Sequence, residues 1–209
     1  MSDKQREHSK LYKGFGAGRK LKDLSEENPG GIKVKRNTPL PVGESGISPT
    51  LPEFLKGLAC KADAVVIGGL AEKSSQLTDD GEFVFTDYEL SIEEVLKDNV
   101  FSHLMPGINL TLTQPGGRVL LNGRLIEAVD ASFQPLLVGH RYLLFLKFIP
   151  STRAYASLNG ASTYELSDNE VKVQTEEATP SALTNEKASN FIDKVRAVTG
   201  GDCLVKGGQ

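Results

Sequence analysis

Three histidines, His8, His103 and His140, are the side chains of this sequence best suited to hold a metal or move a proton near neutral pH. None has a second ligand at metal-site spacing. Each therefore reads as a surface or capping residue or, more sharply, as an isolated ligand or general base. No Gly-x-Ser-x-Gly elbow occurs, and the abundant serines and carboxylates fall in no spacing that specifies a triad or a paired acid and base. Asp87 stands apart because it follows Thr86 inside an otherwise apolar run. It reads as an outward or turn-capping carboxylate, or as a buried partner for Arg124 or Arg141.

Two further chemistries need only a surface. The rings of Phe83, Phe85 and Tyr88 could stack the bases of a single strand, and Arg118 and Arg124 could form an anion-binding tip. The competing readings are core packing for the rings and solvated hairpin charges for the arginines. Charge weighs against a phosphate backbone: residues 49–209 hold 14 Lys or Arg against 21 Asp or Glu, a balance of -7. The basic excess, +4, sits in residues 1–48. Cys60 and Cys203 match neither a zinc spacing nor Cys-x-x-Cys; they either pair or, in a cytoplasmic protein, remain thiols. Gly14 to Lys20 superficially suggests a phosphate loop. It has no preceding strand and no Gly-Lys-Ser/Thr ending, and reads as a flexible linker, so no cofactor is implied.

The elements that would carry these residues follow from periodicity. Residues 1–48 are basic, contain Pro29, Pro39 and Pro41 among many glycines, and sustain no apolar repeat, which predicts a mostly disordered arm that reads as a solvated tail, the alternative being docking on an acidic partner or membrane surface. Order begins near Thr50. Thr50 and Glu53 have capping-box spacing, Pro52 lies in the first turn, and Leu51, Phe54, Leu55, Leu58 and Ala59 repeat helically. Ala64 to Leu70 then reads as a buried strand, with a bend or bulge at Gly68-Gly69. Glu82 to about Leu96 reads as a long strand whose polar face changes partway, as in a coiled strand of a small barrel. Ile108 to Thr113 alternates as a half-buried strand, and Asn122-Gly123 marks a hairpin between Arg118–Leu121 and Arg124–Ala128.

The central strand lies between Gly139 and Pro150. Seven of its nine residues are apolar and they occupy both parities, so it should be buried on two faces, with Tyr142, Leu144, Leu146 and Phe148 on one and Leu143, Phe145 and Ile149 on the other. Leu136 to Val138 should pack beneath it. Ala154 to Leu158, Thr163 to Leu166 and Val171 to Val173 read as edge strands, and a helix starting near Pro180 carries an apolar stripe through Phe191, Ile192 and Val195.

Three phrases, Ala62 to Gly68, Phe85 to Tyr88 and Pro115 to Arg124, resemble a set of bacterial proteins of uncharacterised function. The order of a short helix, a buried strand, a coiled strand, a hairpin and a Gly-x-Arg-Tyr-Leu-Leu-Phe-Leu strand resembles the OB-like barrel of netrin modules and tissue inhibitors of metalloproteinases. The resemblance spans roughly residues 55–175. It implies the fold and an exported setting; it does not carry over the inhibitors' metal-chelating N-terminal cysteine, because Cys60 is internal.

The expectation is a mainly β protein: a disordered arm (1–48), a helix plus small OB-like barrel (49–178), and a C-terminal helix packed on the barrel (179–209). Its function reads as non-catalytic binding or protein interaction, with an unidentified protein partner. The alternatives are single-strand nucleic-acid binding through the barrel face, or a hydrolase with a site at the barrel mouth near His140 and Asp87. No membrane span is visible, and no apolar leader follows Met1 to Lys10. The setting reads as cytoplasmic, or extracytoplasmic if the start is misplaced.

Overall fold

The computed structural model describes residues 1–16, 18–36, 50–167, 170–175, 186–201 and 203. With 41% strand against 24% helix the chain is mainly β, arranged as two sheets with four α-helices among the described residues. No helix in them is long and apolar enough to cross a membrane.

The larger sheet is built around the strand from Arg141 to Ile149, here β7. On one side β7 pairs antiparallel with β2 (Ala64–Leu77); on the other it pairs with β9 (Thr163–Leu166) through its first half and with β8 (Ala154–Ser157) through its second. Beyond β2 lie β3 (Val84–Lys97) and β4 (Asn109–Pro115), each antiparallel to its neighbour, and β4 runs parallel to β8. The hydrogen-bonded pairs therefore pass from β7 through β2, β3, β4 and β8 and return to β7. β8 lies between β4 and β7, and β9 between β7 and β10 (Val171–Val173), so the expectation of edge strands at both is overturned. The outer edge is β10, on β9.

The two-faced reading of β7 holds. Tyr142, Leu144 and Leu146 join Val66, Leu90, Leu112 and Tyr155 in one cluster. Leu143 and Phe145 join a second cluster with Leu55, Tyr164 and Phe191. Both clusters are fully enclosed on this strand, which is why apolar residues occupy both of its parities. Gly68 lies at a register shift between β2 and β3; a Cβ there would come within 2.4 Å of the Ser91 carbonyl oxygen. A side chain at this position would force the strands apart.

The second cluster is capped by two helices. α3 (Leu51–Lys61) starts on the expected box, in which Glu53 accepts from both the Thr50 amide and its hydroxyl. At its other end the Lys97 ammonium donates to the carbonyls of Ala59 and Ala62, where cations are favoured. α4 (Ala188–Thr199) turns Phe191, Ile192 and Val195 inward; the expected start near Pro180 lies outside the described residues. A disulfide joins Cys60, in the last turn of α3, to Cys203 beyond α4, with Cα atoms 5.3 Å apart.

The N-terminal segment corrects the sequence reading most strongly. Residues 1–36, expected to be disordered, contain α1 (Asp3–Leu11), α2 (Leu21–Glu27) and β1 (Ile32–Arg36). β1 runs parallel to β6 (Arg124–Asp130), which is antiparallel to β5 (Gly117–Leu121) across the Asn122-Gly123 turn, forming the smaller sheet. Leu21 of α2 packs with Phe83, Val84, Ile126 and Ala128 in a third cluster. Leu21, Tyr12, Phe15, Leu24, Ile32 and Val34 anchor a segment whose composition is polar, because their apolar partners come from distant parts of the chain. Residues 37–49 lie outside the described residues.

Candidate functional site

α1 lies across the outer face of β3 and β4. Its side chains supply the attachment: Lys4 donates to the Thr111 hydroxyl at 2.7 Å, and the Ser9 hydroxyl accepts from the Asp79 amide at 2.6 Å. His8 is wholly buried, with Nδ1 2.9 Å from Asp87 Oδ1 and Nε2 2.8 Å from Thr152 Oγ1. A carboxylate only accepts, so Nδ1 donates to Asp87; in the neutral ring Nε2 then accepts the Thr152 hydroxyl proton. The surface reading of His8 and the pairing of Asp87 with Arg124 or Arg141 are both overturned. An Asp–His–Thr line resembles an acyl-transfer triad in order, but the ring is sealed, and the shallow cleft beside Asp87, lined by Ser2, Lys4 and Gln5, reaches neither His8 nor Thr152. The arrangement is a tether joining α1, β3 and the β7–β8 loop.

The expected aromatic surface is buried. Phe83, Phe85 and Tyr88 are 1%, 0% and 3% exposed, so they present no open stacking platform. The chain's own Tyr12 stacks on Phe85, and Phe15 packs on Phe83 beneath the Arg36 guanidinium. Burial raises the pKa of the Tyr12 phenol well above its usual range. The Gly-rich loop after α1 does direct amides at anions, but those anions belong to the chain: Gly14 N donates to Asp80 and Gly18 N to Glu82. Burial pushes the Asp80 pKa up, yet donors from Thr78, Gly14 and Glu82 more than offset it and hold the carboxyl below its ordinary value.

Arg118 and Arg124 do not form a joint tip. Arg124 donates to the Ser25 carbonyl of α2, whereas Arg118 pairs with Glu127 at 3.4 Å and faces a cleft between the two sheets. That cleft, about 470 Å³, is the site the sequence reading missed. It exists because β2 pairs with β7 only as far as Gly69; its outer half continues as a ribbon with β3, and β5 and β6 face that ribbon across a gap. Ser75 and Thr86 are cross-strand partners in the ribbon, their hydroxyl oxygens 2.8 Å apart. Gly117 lies directly against them. With φ at +139° and a Cβ position 2.3 Å from Thr86 Oγ1 and 2.6 Å from Ser75 Oγ, only glycine fits.

The cleft's carboxylates already have donors. Glu127 takes Lys33 at 3.2 Å and Arg118; burial raises its pKa, and these two cations more than reverse that effect. Glu165 takes His140 Nδ1 at 2.7 Å and Gln174 Nε2 at 2.9 Å. Its cations are less satisfied: Lys73 and Lys172 line the same cleft, and neither side chain bonds to a described residue. Pro135 and Leu137 supply an apolar lip. Leu136 packs inward as expected, but Leu137 and Val138 are about half exposed, at 47% and 48%. Tyr88 accepts from the Leu136 amide and Tyr142 from the Leu137 amide, fixing that lip; burial drives both phenols up to about 12.

His140 and Asp87, paired in the hydrolase reading, are not brought together, since His140 binds Glu165 and Asp87 binds His8. His103 is exposed on the β3–β4 loop, 3.4 Å from Asp98. Among the described residues no three of His, Cys, Asp and Glu gather as a metal site. No protein-family model and no curated protein matches this chain.

Proposed function

We propose that this chain is a binding module built on an OB-like barrel, acting without catalysis and holding its ligand in the cleft between the two sheets. The barrel reading rests on the pairing circuit. Five strands run in the order β2, β3, β4, β8, β7, with parallel β4 and β8 the crossing that an OB topology requires, and a helix stands before and after them. The same layout favours the netrin and metalloproteinase-inhibitor likeness, and the Cys60–Cys203 bridge favours an oxidising, extracytoplasmic setting.

The observation that carries the binding reading is the cleft itself. Its volume falls within the range of small-ligand sites, roughly 300–1,000 Å³, and polar groups from β2, β3, β5, β6, β9 and β10 line it beside an apolar lip. Most of these side chains bond one another, but the Lys73 and Lys172 ammonium groups bond to no described residue and are left to the cleft.

The test is amide chemical-shift mapping of the full chain against a mixed set of small amphipathic compounds. Saturable shifts confined to the cleft strands and the Pro135–Leu137 lip are expected. Shifts confined to the β3–β4 loop, or none that saturate, would sink the reading.

A further inference from the structure

We propose that the ligand of the cleft is a small anion, foremost a carboxylate, carrying a hydroxyl or amide N–H donor beside its charge and an aliphatic group next to that. The inference rests on the cleft being a binding site, and it follows from three groups of atoms.

Charge comes first. Glu127 and Glu165 hold two donors each from the chain itself, while Lys73, on β2, and Lys172, on β10 and cross-strand from Glu165, line the cleft from the larger sheet, and neither ammonium bonds to a described residue. Arg118 lines the same cleft from β5 of the smaller sheet, shared with Glu127. Two ammonium groups lining one concavity without a partner among the described residues leave the negative charge for the ligand to supply.

Hydrogen-bond direction comes second. The Thr86 hydroxyl is 2.7 Å from the Gly116 carbonyl oxygen, which can only accept, so Thr86 donates there. Its one proton is then engaged, and the 2.8 Å contact with Ser75 must be a donation from Ser75 to Thr86. Ser75 has no proton left; its Oγ presents lone pairs to the cleft. A ligand bound against this wall meets an acceptor, and an anion with no donor of its own would face it oxygen to oxygen. Gly117 keeps the wall flat enough for this contact, because any side chain there would cover both hydroxyls. The third group is the lip, where Pro135 and half-exposed Leu137 offer apolar surface to an aliphatic chain.

Two sources share this chemistry: a peptide C-terminus, whose last residue has a carboxylate, an amide N–H and a side chain, and a free hydroxy acid. The experiment titrates the full-length, disulfide-bonded protein at low ionic strength with N-acetyl-leucine, leucic acid, isocaproate and N-acetyl-leucinamide, followed by amide shifts and calorimetry. N-acetyl-leucine and leucic acid should saturate the cleft resonances. Isocaproate, lacking the donor, should bind severalfold more weakly, and the neutral leucinamide at least about tenfold more weakly. Lys73→Gln and Lys172→Gln, both exposed side chains that bond to no described residue, should each weaken the two acids severalfold and leave leucinamide unchanged.

A preference for N-acetyl-leucine assigns the site to a peptide C-terminus; a preference for leucic acid assigns it to a hydroxy acid. Cleft shifts with leucinamide as strong as with the acids, or acid binding indifferent to both lysine substitutions, would overturn the anion while leaving the cleft a ligand site. If none of the four compounds moves the cleft resonances, the anion and the cleft fail together.

Discussion

The ring of Tyr12 lies 5.8 Å from that of Phe85, centroid to centroid, with their planes 24° apart, so a residue from the N-terminal segment completes the outer packing of β3. Tyr12 is 6% exposed and Phe85 fully buried. An aromatic position on this face is covered by the chain itself, which is why it offers no surface to a partner.

Replacing Tyr12 by Ala removes that cover. A buried aromatic truncated to Ala costs about 3–5 kcal/mol in a core; at this edge the lower end is expected, about 3 kcal/mol in urea unfolding. Limited proteolysis should then cut within the first 16 residues before any other described segment, whereas Leu11→Ala, at an exposed position, should change neither measurement. Equal protease resistance in the Tyr12 variant would show that α1 is held without it.

The His8 tether joins three parts of the chain and should be energetically coupled. His8→Ala leaves the part-buried Asp87 carboxylate without its donor, at a cost of about 1–3 kcal/mol. In a double-mutant cycle with Asp87→Ala, a coupling above about 1 kcal/mol is expected, and Thr152→Val should cost less than either substitution, since it removes only one neutral hydrogen bond. Simple additivity of His8 and Asp87 would show the contact to be incidental.

The disulfide closes a loop with a sequence separation of 143 residues, so reduction or Cys60→Ser should lower stability by roughly 4–5 kcal/mol on the loop-entropy account. Mass spectrometry after alkylation should find no modified cysteine in the native, unreduced protein and two after denaturation with reductant. Alkylation of both in native protein would refute the bridge.

Acid should loosen the N-terminal segment before the barrel. Asp80 is held below its ordinary pKa by the Thr78 hydroxyl and the Gly14 and Glu82 amides, against the opposing effect of burial. A lowered folded pKa means its stabilisation is fully present above the unfolded value, about 3.9, and is lost as pH falls through the lowered folded one. The Gly14 amide resonance should titrate in that window, and Asp80→Asn should abolish the titration. A flat Gly14 resonance down to acid unfolding would count against the contact.

Local signals in the sequence were sufficient where the cause was local. The α3 capping box is set by Thr50 and Glu53, the hairpin by Asn122-Gly123 and the burial of β7 by apolar residues on both parities, all within a few residues of the structure they produce. The fate of residues 1–36 was different. β1 is a strand because it runs beside β6, about ninety residues later, and His8 is buried because Asp87 and Thr152 meet it there. Neither contact has a periodicity to read. The cleft is the extreme case: Lys73, Ser75, Gly117, Arg118 and Lys172 are unremarkable one by one. Sequence by itself determined most of the strands and helices after Thr50, since turn chemistry and side-chain period act along the chain, but not α1, α2 or β1. Only the tertiary structure decided which charges would be neutralised by a neighbour and which left facing an open cleft, because pairing of charges and hydroxyls depends on distances between strands that composition does not encode.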